Sequence, residues 1–169
     1  MNIKKTALMG LLTAISLILF TVEAQLPPPA PLPGVKIGLA NIVTVFAVFA
    51  LGSRKACAIL FCRIFLGAVF AGNFASIFYS AGGGLLAILV TIGLKRILTR
   101  KQLWVAGCLG AAAHSVGQML AAILISGTPS LILYLPMLCG ISLLTGLFTG
   151  LCAQILVNRG ETLWKTIFK

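Results

Sequence analysis

His114 and Gln118 stand four residues apart in GAAAHSVGQML, so a helix would carry both on one side, with Ser115 on an adjoining face. An imidazole one turn from a carboxamide can hydrogen-bond a ligand, relay a proton, or tie two helices together. Their surroundings are apolar, and an ionisable side chain at membrane depth is a functional candidate by default. Glu23 and Lys36 bracket the stretch VEAQLPPPAPLPGVKIGLAN, and Asn41 closes it. Asn73 and Ser80 fall near the ends of apolar runs, where capping competes with binding. Arg63 lies inside another apolar run and could snorkel to the cytoplasmic end, bind an anion, or pair with a partner protein.

The same inventory excludes much chemistry. The chain holds no Asp and two carboxylates, Glu23 and Glu161. A paired acid and base, a two-metal site or a magnesium-diphosphate clamp cannot be assembled from these, and we expect no enzyme. Gly82–Gly84 and the run from Gly146 to Gly150 lack the GxxxxGK[ST] pattern of a nucleotide cradle; close helix packing is the expectation for both. Cys57, Cys62, Cys108, Cys139 and Cys152 fall in apolar runs without CxxC or Cys/His spacing, so we expect packing thiols, no metal and no cofactor.

The elements that must hold these groups are membrane helices. Composition is 60% hydrophobic and 9% charged, with a mean hydropathy of +1.12, too little polar surface for a soluble domain. The net charge of +11 sits in short clusters between apolar runs, which argues topology rather than nucleic acid. We expect an all-α integral membrane protein of one domain, 1–169, with six transmembrane helices near 6–22, 37–52, 56–72, 81–98, 103–126 and 129–157. Between Val22 and Asn41, five of the seven prolines fall within Pro27–Pro33, so a stiff extended loop is expected there. Phe74–Ser80 reads as an aromatic turn, Gly82–Gly84 as the opening of the fourth helix, and Pro136 as a bend in the last. Lys4 and Lys5 before the first apolar run, with Val22 and Ala24 after it, also fit a secretory signal, the alternative to a retained helix.

Basic residues set the orientation. With a cytoplasmic N-terminus, Lys4, Lys5, Arg54, Lys55, Lys95, Arg96, Arg100, Lys101, Arg159, Lys165 and Lys169 share the inner side and Lys36 stands on the outer. Both termini are therefore expected inside the cell membrane of a bacterium. Glu161, Trp164 and Phe168 are expected in a tail on the inner lipid surface.

The runs EAQLPPPAPLPGVKIGLANI, RIFLGAVFAGNF, SAGGGLLA, GAAAHSVGQML and YLPMLCGISLLTGLFTG, taken in order, resemble the Gx transporter family, also labelled heptaprenyl diphosphate synthase component I. That family is similar to the S components of energy-coupling factor (ECF) transporters. The resemblance implies an S-component-like bundle that captures a small-molecule substrate, vitamin-like or heterocyclic, outside. It also implies partners, an ECF transmembrane subunit and two ATPases. Gly10 and Ala14, spaced small-xxx-small, would line the contact with that partner. Glu23, Lys36, Asn41, Asn73, His114 and Gln118 form the candidate ligand site. Family members often carry Asn after the His, where this chain has Ser115. Prenyl diphosphate synthases resemble one another in two Asp-rich motifs, so this chain is not the catalytic subunit. The alternative is a non-catalytic membrane accessory of polyprenyl diphosphate or quinone metabolism, or of a flavin-linked electron-transfer system whose carrier would be borrowed.

Overall fold

The computed structural model describes residues 3–26, 38–72 and 74–160. The described residues form six α-helices and two short 3-10 turns, with no strand. They are α1 (Ile3–Gln25), α2 (Asn41–Leu51), α3 (Ser53–Ala71), α4 (Ala75–Leu94), α5 (Leu103–Ser126) and α6 (Leu135–Arg159). Four stretches, Ile3–Gln25, Ser76–Leu94, Arg100–Ser126 and Pro129–Arg159, are long and apolar enough to cross a membrane. Their outward faces carry Leu, Ile and Phe, among them Ile18, Phe78, Leu124 and Leu144, as a lipid-facing surface requires. This is a membrane protein.

Several expected boundaries are corrected. The first helix extends beyond 6–22 to Gln25, ending just short of the proline run that cannot continue it, so Glu23 lies in the last turn of α1 rather than in a loop. The second segment, expected over 37–52, shrinks to 11 residues, Asn41–Leu51. At 1.5 Å per residue it is about 16 Å long, roughly half a bilayer core. Glycines set both limits. Gly38, at φ 93°, starts a turn in which its carbonyl accepts the Asn41 N–H, and Gly52, also at φ 93°, is all that separates α2 from α3. α3 has the length of a span but carries Arg54, Lys55 and Arg63.

The aromatic turn expected over Phe74–Ser80 is helical from Ala75, and Gly82–Gly84 sit inside α4 instead of opening it. The helical period explains why: Ser76 and Ser80 are buried while Phe74 and Phe78 face outward. α4 stops at Leu94, short of 98, and Thr99 and Gln102 form a capping box ahead of α5. Pro136 does not bend the last helix. Pro129–Tyr134 is 3-10, and Pro136 sits in the first turn of α6, where its missing N–H costs nothing. The candidate Lys36, the candidate Asn73, the proline run and the tail with Glu161, Trp164 and Phe168 lie outside the described residues.

Short α2 is the core of the bundle and touches every other α-helix. Val43, Val45, Phe46, Ala47 and Val48 are buried there, joined by Leu12 of α1, Ile59 and Leu60 of α3, Ile88 of α4, Ala106 of α5 and Ala153 of α6. The Lys95 ammonium donates to the Val48 carbonyl at 2.6 Å, closing the end of α2 with a charge of favourable sign. Partial burial, then the nearby Arg100 charge, lower the Lys95 pKa.

α4, α5 and α6 are held together by glycine. A Cβ on Gly82 would lie 2.7 Å from the Gly117 carbonyl oxygen, and one on Gly107 would lie 2.5 Å from the Gly150 Cα. Nothing larger fits at this helix separation. Gly10 and Ala14 contrast with these: both are exposed on α1, and a Cβ on Gly10 meets nothing within 4 Å.

Candidate functional site

Five helices and one glycine turn bring a set of buried polar groups together. Glu23 ends α1 at 4% exposure, and the Gly38 N–H donates to its Oε1. The left-handed backbone of Gly38 aims that N–H back at the end of α1, a conformation that a side chain would strain. Three residues on, Asn41 opens α2 at 3% exposure. A Cβ on Gly38 would lie 3.0 Å from Asn41 Nδ2 and 3.6 Å from His114 Cδ2, so the carboxamide and the imidazole flank the same turn.

His114 and Gln118, 4% and 1% exposed, rise from one face of α5 as their spacing predicts. They press against α4 at Gly83, whose absent Cβ would sit 2.7 Å from Gln118 Cγ and 2.8 Å from His114 Cε1. Gly83 therefore shapes the site by being cut back. On the neighbouring face of α5, Ser115 hydrogen-bonds Ser142 of α6, so the residue after the His ties two helices.

Arg63 enters from α3. It is 3% exposed and does not snorkel; its guanidinium carbon stands 6.0 Å from the centre of the Phe20 ring. Phe20 packs against α3 at Gly67, whose Cβ would approach Phe20 Cε1 to 2.9 Å. Glu23 is three residues beyond Phe20 on the same side of α1, and its carboxylate acts on the Arg63 charge. Opposite charges sharing a low-dielectric interior offset part of the desolvation cost that either would bear alone.

Of the six candidates from the sequence, Glu23, Asn41, His114 and Gln118 converge, while Lys36 and Asn73 lie outside the described residues. Sequence reasoning missed Gly38, Gly83 and the inward course of Arg63. The GLAN and GGG runs were visible signals for the two glycines, but only the fold says which glycine faces the imidazole. Among the described residues no group of three His, Cys, Asp or Glu is placed to hold a metal. What the arrangement offers is hydrogen-bonding in every mode: two primary amides, an imidazole, a carboxylate and a guanidinium.

Residues 12–156 match the family model described as heptaprenyl diphosphate synthase component I, a stretch that includes every group above. The chain belongs to that family. No curated protein and no solved structure matches it. The family description names an assembly and not a chemistry for this subunit, so the site must be read from its own groups.

Proposed function

We propose that this chain is the substrate-binding membrane subunit of an ECF-like transporter, capturing a small organic solute, vitamin-like or heterocyclic, from outside a bacterial cell. The observation that carries the reading is the convergence of Glu23, Asn41, Arg63, His114 and Gln118, all buried, from α1, α2, α3 and α5. Burying so many polar groups in an apolar bundle is costly unless they are used. In this reading all six helices cross or enter the plasma membrane with both termini cytoplasmic, and the site lies in the outer half. The protein performs no catalysis; an ECF transmembrane subunit and ATPases supply the energy, with α1 as the docking helix.

The test is native mass spectrometry of the purified protein, followed by affinity and thermal stability for Gln118→Ala. A bound vitamin-like or heterocyclic solute, lost from the variant while the fold persists, supports the proposal. A folded variant that binds the solute normally refutes the site.

A second reading, a non-catalytic accessory of polyprenyl or quinone metabolism, draws on the family description and on one feature of the surface. Between α1 and α6, over α2, runs a groove of about 260 Å³ lined by Leu8, Leu11, Leu12, Ile15, Leu19, Ile42, Val43, Phe46 and Leu156. Such a lining suits an isoprenoid chain and offers nothing to a polar solute. A co-purified prenyl chain or quinone would favour this accessory role.

A further inference from the structure

Asn41 is the sharpest feature of the site. Both its amide atoms, Nδ2 and Oδ1, are buried with no hydrogen-bond partner among the described residues. It is 3% exposed, and Gly38 with His114 brackets it. An unsatisfied buried donor and acceptor on one side chain carry the full desolvation penalty of both, which native folds rarely tolerate. A helix cap does not explain them, because no side-chain bond caps α2.

We propose that Asn41 reads the edge of a cyclic amide, a ring N–H beside a ring carbonyl, on a neutral heterocycle; this rests on the solute-binding reading of the site. A primary carboxamide presents its donor and acceptor side by side, and the complementary edge must do the same in reverse order, the bidentate geometry that Asn uses on nucleobases. An open-chain secondary amide cannot match it, since the trans peptide geometry points N–H and C=O in opposite directions. A lactam ring holds both on one edge. The described residues bury one charge of each sign here, the Glu23 carboxylate and the Arg63 guanidinium, and so favour neither an anion nor a cation. Gln118 and His114 then supply further contacts from the α5 side.

The probes are 2-pyridone, the smallest aromatic lactam, and N-methyl-2-pyridone, which keeps the shape and carbonyl but lacks the donor. Binding to the full-length protein in nanodiscs is followed by ligand-observed NMR. Wild type is expected to bind 2-pyridone at least tenfold tighter than the N-methyl compound. Asn41→Leu is expected to abolish that preference while its melting temperature holds or rises, because an apolar side chain of similar size replaces an unpaired amide. If Asn41→Leu does not fold, Asn41→Ala removes the donor and the acceptor together with less bulk and is expected to lose the preference too. Equal binding of the two probes to wild type, no binding of either, or a preference that survives in the variants overturns the proposal. The wider reading fails separately. A co-purified solute without a lactam edge that still depends on Gln118 leaves solute binding standing and removes the lactam. A prenyl chain as the co-purified species, with 2-pyridone still preferred, does the reverse.

Discussion

Gly83 shapes the candidate site by having no side chain. An Ala there would place its Cβ 2.7–2.9 Å from Gln118 Cγ and from His114 Cε1 and Nδ1, so both side chains must move off α4. Gly83→Ala is expected to lower affinity for the co-purified solute at least tenfold while costing modest stability, since flexible side chains, not backbone, give way. Equilibrium binding and thermal unfolding on one preparation check this. Gln118→Ala and His114→Ala each remove a contact worth on the order of 1–3 kcal/mol, roughly a fivefold to hundredfold loss of affinity. Lower stability with normal affinity would reduce both to helix ties. The α5 pair was legible in the sequence because a four-residue spacing is a helix property. The Gly38 bond to Glu23 and the turn of Arg63 toward Phe20 were not, because each depends on which helices meet rather than on local pattern.

Among the elements, the helix interiors followed from hydropathy, but their ends did not. Hydropathy could not separate the turn at Gly38 from the start of α2, since Leu39 and Ala40 are as apolar as the helix that follows. Nor could it see that the glycines of α4 continue a helix, because what they meet lies on other helices: the bare backbone of α5 at Gly82, the Gln118 and His114 side chains at Gly83, and Leu60 of α3 at Gly84. Two glycine sites with opposite environments give an element-scale prediction. Gly107→Ala, whose Cβ would meet the backbone of Gly146 and Gly150, is expected to destabilise the protein by about 1–3 kcal/mol by forcing α5 from α6. Gly10→Leu with Ala14→Leu fills open space on an exposed face, so the isolated protein should melt as wild type does. If α1 docks a partner through those two residues, the same double variant loses co-purification with an ECF transmembrane subunit. Retained co-purification would remove α1 as the docking helix.

At the scale of the whole molecule, helix contacts and charge agree on a single polarity. Lys95 reaches Val48 beside Gly52, and the α5 start at Leu103 packs near Gly150 of α6, so Arg54, Lys55, Lys95, Arg96, Arg100 and Arg159 gather at one end of the bundle. The Glu23, Gly38 and Gln118 cluster lies toward the other end, on the side of the Gly127 turn. Basic residues are retained on the cytoplasmic side of a membrane, which would leave the polar cluster opening outward, the side from which the proposed function requires a solute to arrive. Cysteine labelling tests this on intact cells. On a background with the five natural cysteines replaced, Thr128→Cys, in the turn after Gly127, is expected to react with a membrane-impermeant maleimide. Ser53→Cys, at the basic end, is expected to react only after the cells are opened. The reverse pattern would turn the bundle over, place the cluster on the cytoplasmic side, and make capture from outside impossible.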